Sequence, residues 1–139
     1  MAEAKHLTLG VLGEKLAADY LEKNGYTITD KNVRLGKNEI DIIAEDKNFI
    51  VFVEVKTRSV AHEGSSLYGS PARAVDSKKR SNTVKAAIDY LRTNYIEKQP
   101  RIDVIEVYIK ESSSDNSICP KILSINHIRN AFDAKGRKH

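Results

Sequence analysis

The sequence is poor in several residue types: it has no tryptophan, three prolines and one cysteine in 139 residues. The single cysteine, Cys119, excludes an intrachain disulfide and a zinc site built from several cysteines. The low proline content excludes collagen-like and proline-rich classes. No apolar run approaches the roughly 20 residues of a membrane helix, and residues 1–9 lack the apolar core of a secretory signal. These absences predict a cytoplasmic protein.

What the sequence does contain is an ordinary globular balance, with 40% hydrophobic and 30% charged residues. A chain of 139 residues is the size of one domain, so residues 1–139 are predicted to fold as a single unit. The net charge of +4 is mildly basic and is compatible with a nucleic-acid partner without requiring one. The sequence leaves the oligomeric state open, a homodimer included.

Hydrophobic periodicity predicts the order α-β-β-β-α-β-β-α, which favours a mixed sheet with helices packed on it. Thr8 is a plausible N-cap for the first helix, and Gly25 follows its end. The predicted elements are a helix over 9–24, strands over 26–35 (with a break near Asp30), 39–45 and 49–58, a helix over 77–94, strands over 102–109 and 122–125, and a helix over 127–134. A loop over 59–74, a polar run over 111–117 and a basic tail over 135–139 connect or end them. The loop is expected to be mobile and to border the site described next.

The second and third strands form a hairpin whose turn we place at Lys47 and Asn48. Asp41 then faces Glu54 across the ladder, and Glu39 faces Lys56. Because residues two apart share a face of a strand, these side chains form one polar cluster. Ile43 and Phe52 continue that face, whereas the other face is apolar: Ile40, Ile42, Ala44, Val51, Val53 and Val55.

Opposed carboxylates repel each other, and a hard cation between them removes that cost. Mg²⁺ prefers one or two carboxylates, water and phosphate oxygens, and Lys56 on the same face can orient a water. This set suits phosphodiester hydrolysis. The alternative is an exposed strand face with salt bridges. Glu54 favours a site, because it interrupts an apolar run that is typical of a buried strand.

Glu14 lies on the first helix at the flank of its apolar stripe. It can reach a metal or a water from above the sheet, or it can be a solvated helix residue. The histidines His6, His62, His127 and His139 have no metal-ligand spacing, and Cys119 beside Pro120 is interpreted as a small strand-end residue.

Several motifs along almost the whole chain resemble the YraN family of uncharacterised bacterial proteins. The resemblance is carried by Gly13-Glu14, Gly25-Tyr26, residues 38–44 (NEIDIIA), residues 51–58 (VFVEVKTR), Ala74-Val75 with Lys79, Ala86-Ala87 with Tyr90-Leu91, residues 101–105 (RIDVI) and residues 130–132 (NAF). Asn38 departs from the glycine that usually precedes Glu-Ile-Asp in that family. Both residues tolerate a left-handed turn.

The family is similar to nucleases with the restriction-endonuclease-like fold, an α/β/α core around a mixed sheet. The resemblance implies the signature Asp, then Asp/Glu-x-Lys, which maps onto Asp41, Glu54 and Lys56. Archaeal Holliday-junction resolvases add an acidic residue on the first helix, which maps onto Glu14. Mg²⁺ or Mn²⁺ would then be held by Asp41, Glu54 and the backbone carbonyl of Val55.

Basic residues cluster around the second helix and the end of the third strand. They would contact phosphates of a nucleic acid, DNA in the first place, or they are a solvated helix face. The candidates are Arg58, Arg73, Lys78, Lys79, Arg80 and Lys85.

Three functions remain open from the sequence. The first is a metal-dependent endonuclease, active on particular DNA structures. The second is a nucleic-acid-binding module on a nuclease scaffold without efficient catalysis. The third is an interaction protein whose acidic cluster is structural.

Overall fold

The computed structural model describes residues 8–60, 77–110, 113–114, 117–118 and 121–132. The elements are α1 (Leu9–Lys23), β1 (Thr27–Leu35), β2 (Asn38–Glu45), β3 (Phe49–Val60), α2 (Ser77–Thr93), β4 (Gln99–Lys110), β5 (Ser113–Ser114), β6 (Ser117–Ile118) and β7 (Lys121–Ile128). Within these residues neither helix is long and apolar enough to cross a membrane. Residues 61–74 of the predicted loop and the tail 135–139 lie outside the described residues.

Five strands form one sheet in the order β1-β2-β3-β4-β7. Every neighbouring pair is antiparallel except β3 and β4, which are parallel. Parallel strands cannot be joined by a tight turn, and α2 lies in the connection between them. The mixed sheet with helices packed on it is therefore confirmed, and so is the irregularity near Asp30, where the β1–β2 register shifts.

The helix α1 begins and ends where its sequence predicts. The side chain of Thr8 accepts a hydrogen bond from the backbone N–H of Val11 at 3.1 Å, which satisfies one of the free amides of the first turn. Beyond the helix, Gly25 has a φ of 93°, which a residue with a side chain rarely adopts. The chain can therefore reverse at once into β1.

Alternate residues of β3 pack into two separate cores, one on each face of the sheet. Val51 and Val53 pack with Leu21 of α1, whereas Ile50 and Phe52 pack with the apolar side of α2. A strand that is buried on both faces reads as a continuous apolar run, which is why residues 49–55 show no polar alternation except at Glu54. The result is three layers, with one helix on each face of the sheet.

The predicted helix over residues 127–134 is wrong in its described part. His127 and Ile128 continue β7, which pairs with β4, and Asn130 has a left-handed φ of 52°. The N–H of Asn130 donates to the carboxylate of Asp103 at 2.9 Å, and the N–H of Ala131 donates to the carbonyl of Ile102 at 2.7 Å. These bonds to β4 replace the hydrogen bonds that a helix would form.

Two smaller expectations also change. Ile40 packs in the α2-side core with Ile43, not on the face of Ile42, at a point where the ladder between β2 and β3 has already ended. Part of the polar run over 111–117 forms a short ladder, in which Ser113 pairs with Ile118 and Ser114 with Ser117.

Candidate active site

The hairpin of β2 and β3 has the predicted register. Ile42 pairs with Val53 and Glu45 with Ile50, around a turn at Lys47 and Asn48. The turn lacks the favoured Asn-Gly sequence, and the side chain of Asp46 stabilises it instead. The carboxylate of Asp46 accepts hydrogen bonds from the backbone N–H groups of Asn48 at 2.9 Å and of Phe49 at 2.8 Å.

The ladder between β2 and β3 ends at Ile42 and Val53, one residue before the predicted Asp41–Glu54 pair. Asp41 instead bonds through its side chain, since Oδ2 accepts the backbone N–H of Val55 at 2.8 Å. The two strands thus separate at the two acidic residues. This separation makes room for a site that a regular ladder would close.

A polar cavity of about 230 Å³ opens where the strands separate. It is lined by Lys37, Asn38, Glu39, Asp41, Glu54, Asn82 and Thr83. Glu54 is only 4% exposed, while Asp41 is half-buried. The structure therefore brings both predicted carboxylates together with a third, Glu39, beside side chains of α2.

Lys56 lies next to Glu54 on the same face of β3. Its Nζ is 3.5 Å from Glu54 Oε2, and the lysine side chain is 20% exposed. A lysine at this distance compensates part of the charge of a buried carboxylate and remains accessible to solvent. This contact is the Glu54–Lys56 salt bridge that the alternative interpretation expects, although the buried Glu54 does not lie on an exposed strand face.

Glu14 lies on α1, on the opposite face of the sheet from α2, and it is not among the described residues that line the cavity. Burial raises its pKa above the ordinary value of 4.5, and so do the charges of Glu39 and Glu54, while the side chain of Asn32 and the charge of Lys31 oppose the shift. Glu14 thus shares the electrostatic environment of the cavity carboxylates.

Close packing of Gly13 holds Glu14 in this position. Gly13 is buried against Thr57 of β3, and a Cβ at residue 13 would overlap the Thr57 hydroxyl. Because only glycine permits this approach, α1 lies directly over the strand that carries Glu54 and Lys56.

The donors at the site fit a hard divalent cation. Asp41 and Glu54 supply two carboxylates in a polar cavity, and Mg²⁺ typically takes one or two carboxylates and fills its other positions with water and phosphate. Within the described residues, no group of three or more His, Cys, Asp and Glu side chains could hold a metal ion. The ligands expected here include only two side chains, so such a cation would depend on water and backbone.

The predicted basic residues are only partly placed. Arg58 on β3 and Arg80 on α2 are half-buried, and Lys85 on α2 is exposed. Arg73 and the side chains of Lys78 and Lys79 lie outside what the structure describes. Sequence reasoning missed Lys37, Asn82 and Thr83, because their place at the cavity depends on how β2 and α2 are positioned.

A second polar network was also missed, at the beginning of β4. Asp103, fully buried, accepts from Arg101 at 2.9 Å and lies 2.7 Å from Nε2 of His127. Nδ1 of His127 is 3.0 Å from the hydroxyl of Tyr20. The signal in the sequence that could have revealed this network is Asp103 itself, a charged residue inside the apolar run 102–109. This network fastens β7 to β4 and α1 and lies outside the set of residues that line the cavity.

Comparison with known proteins places the chain in a family. The model of the uncharacterised protein family UPF0102 matches residues 13–107, which include Glu14, Asp41, Glu54 and Lys56. A UPF0102 protein of Caldanaerobacter subterraneus is 43% identical over 95% of this chain and all of its own length. One of Clostridium botulinum strain 657 is 42% identical over 89% of this chain and 93% of its own length. The chain therefore belongs to the UPF0102 family, also called YraN, as its motifs indicated.

Proposed function

We propose that the protein is a nuclease with a restriction-endonuclease-like fold that uses Mg²⁺ or Mn²⁺ to hydrolyse phosphodiester bonds in DNA. One observation carries the proposal: Glu54 is buried in an otherwise apolar strand, shares a cavity with Asp41 and has Lys56 at 3.5 Å. Lys56 compensates the charge of Glu54 only in part, because the contact is long and the lysine is partly exposed to solvent. A divalent cation in the cavity would add further positive charge beside both carboxylates.

Each residue then has a distinct role. Asp41 and Glu54 hold the cation, with the carbonyl of Val55 as a third ligand. The cation supplies a more acidic bound water and neutralises charge on the phosphate. The ammonium of Lys56 donates to the attacking water and to the phosphate oxygen on which charge develops.

Glu14 is proposed to handle the proton. A carboxylate is a better general base when its pKa is raised toward the working pH, and the pKa of Glu14 is raised by burial and by Glu39. Its carboxylate would accept the proton that the attacking water releases.

A metal-binding measurement tests the site without any substrate. We expect calorimetry with Mn²⁺ to show binding to the wild type and none to the double variant Asp41→Asn, Glu54→Gln. Glu22→Gln is the control, since Glu22 is an exposed glutamate on α1. Equal binding by the wild type and the double variant would refute the metal site.

A cleavage screen then separates the enzyme from a binding module. Linear, flapped and four-way-junction DNA are incubated with Mg²⁺ and with Mn²⁺. We expect cleavage of at least one substrate that requires the metal and is lost in Asp41→Asn. If DNA binds and no substrate is cut with either metal, the protein is a binding module. If neither metal nor DNA binds, the acidic cluster is structural.

A matched pair of lysines, one at the cavity and one away from it, tests the proposed DNA interface. Lys37 and Lys47 are both exposed, and they lie just outside opposite ends of β2, but only Lys37 lines the cavity. Phosphate contacts make affinity fall with salt. Lys37→Gln should therefore weaken DNA binding and flatten its salt dependence, as should neutralising Lys78, Lys79 and Arg80 together. Lys47→Gln should change neither quantity.

A further inference from the structure

Glu106 is a buried carboxylate on β4 that the proposed chemistry does not use. It is 1% exposed. Its Oε1 accepts from the side-chain amide of Asn126 at 2.8 Å and from the hydroxyl of Tyr108 at 3.3 Å. Its Oε2 has no hydrogen-bond partner in the structure as described. A buried oxygen without a hydrogen-bond donor is energetically unfavourable, which suggests that Glu106 Oε2 has a functional role.

The position of Glu106 relative to Lys56 indicates that role. The two residues are register partners on the parallel strands β3 and β4. They also share a face of the sheet, since Phe52 and Val104, an even number of residues before each, both lie in the α2-side core. Asn126 approaches from β7, one neighbour of β4, while Lys56 lies on β3, its other neighbour.

The present partner of Lys56 holds it weakly. The distance of 3.5 Å between Lys56 Nζ and Glu54 Oε2 exceeds the about 2.7–2.9 Å of a strong charge-assisted hydrogen bond. A cation bound to Glu54 would weaken this contact further, because it takes the carboxylate charge and repels the ammonium. Lysine has a flexible stem and three donors, so it can turn to a nearby acceptor.

We propose that Glu106 is a positioning residue for Lys56: its Oε2 receives the Lys56 ammonium whenever the charge of Glu54 is taken by another partner. The cation in that role rests on the proposed function. Glu106 then keeps the Lys56 ammonium beside the site. Without Glu106, the ammonium would move toward solvent. The buried, unpaired oxygen is the feature that this exchange requires.

Lysine ammonium NMR tests the exchange without metal or activity, because ammonium groups in ion pairs exchange slowly with water and have distinct ¹⁵N shifts. Lys56→Arg assigns the signal. Glu54→Gln removes the charge of Glu54, and we expect the Lys56 signal to shift and persist. Adding Glu106→Gln should move it to the position of exposed lysines such as Lys23. If the double variant keeps the signal of Glu54→Gln alone, the proposal is wrong.

An internal control uses a second lysine pair. Lys98 Nζ lies 2.9 Å from Glu45 Oε1, so Glu45→Gln should displace the Lys98 signal and leave that of Lys56 unchanged. Should Glu106→Gln fail to fold, the carboxyl ¹³C signal of Glu106 is followed in Glu54→Gln, where it must shift, and in Glu54→Gln with Lys56→Met, where it must not. A shift that is the same in both variants overturns the proposal.

Addition of Mg²⁺ to the wild type separates this inference from the proposed function. The ion should produce the same Lys56 shift as Glu54→Gln. If Glu54→Gln produces the shift and Mg²⁺ leaves the spectrum unchanged, the exchange is supported and the metal site is refuted. If Mg²⁺ binds but the Lys56 ammonium signal shifts neither on Mg²⁺ addition nor in Glu54→Gln, the metal site is supported and the exchange is refuted.

Discussion

The carboxylate of Asp41 accepts the backbone N–H of Val55 at 2.8 Å, directly beyond the last pair of the β2–β3 ladder. A side chain thus occupies the place where a carbonyl of the neighbouring strand would continue the sheet. This contact lets the strands separate while the Val55 amide stays satisfied. The cavity between Asp41 and Glu54 depends on it, so the local fold and the proposed chemistry share one residue.

Lys56 should matter for cleavage and little for binding. Interactions that strengthen only in the transition state raise the rate without raising ground-state affinity. Lys56→Ala should therefore keep Mn²⁺ and DNA affinity within a few-fold and lower the cleavage rate by ~10²–10³, as for other positioned donors. Single-turnover cleavage and equilibrium binding measure the two quantities. A variant that cuts as fast as the wild type would show that the activity comes from another site or a contaminant.

Gly13 should resist substitution where Gly10 on the same helix does not. A Cβ at residue 13 overlaps Thr57, whereas a Cβ at residue 10 meets only the Thr8 hydroxyl at 3.9 Å. Gly13→Ala should lower the free energy of unfolding by about 1–3 kcal/mol through overpacking. Gly10→Ala should raise it by up to about 1 kcal/mol, because alanine favours a helix. Urea unfolding of both variants checks this, and equal effects would contradict the packing of α1 on β3.

Glu14 should make stability fall as pH rises above 4.5. Its pKa is raised from 4.5 by burial and by Glu39, so in the window above 4.5 the folded state binds more protons than the unfolded state. The free energy of unfolding then decreases with pH across that window, until Glu14 is ionised in both states. Glu14→Gln should remove this contribution. Urea unfolding at a series of pH values from about 4 upward measures this dependence. The control Glu22→Gln should show the same change of the free energy of unfolding with pH as the wild type.

Asp103 should be essential for stability, unlike an exposed aspartate in an ion pair. Asp103→Asn leaves Arg101 and His127 without their common carboxylate, and breaking a buried pair costs about 3–5 kcal/mol. Asp89→Asn is the matched change, because Asp89 faces Arg92 at 3.9 Å with both side chains exposed. It should cost less than about 1 kcal/mol. Thermal and urea unfolding compare the two.

The contribution of Asp103 to the free energy of unfolding should depend on pH in the opposite direction to that of Glu14. Burial alone would raise its pKa, but hydrogen bonds from His127 and Arg101 outweigh burial and hold the pKa below 3.8. Its contribution to stability is therefore present above 3.8 and is lost as the pH falls through the folded-state pKa. Asp103→Asn should flatten the acid limb of the stability profile.

Much of the architecture was determined by local sequence. The Thr8 cap, the glycine at residue 25 and the apolar periodicity define α1, and the alternation around Lys47 and Asn48 specifies the hairpin register. A slip by one residue would move every buried side chain of the hairpin to the wrong face. These features are readable because they depend on neighbours in the chain.

The tertiary structure decided what depends on distant contacts. The end of the chain looked helical, yet hydrogen bonds to the carboxylate of Asp103 and to the carbonyl of Ile102 hold residues 127–131 against β4. Ile40 packs in the α2-side core at a point where the ladder between β2 and β3 has ended, which the alternation along the strand does not predict. Lys37 and Asn82 reached the cavity, and Glu106 came to lie beside Lys56, only through the assembly of the sheet and α2. Local periodicity carries no information on such pairings, since each joins segments far apart in sequence.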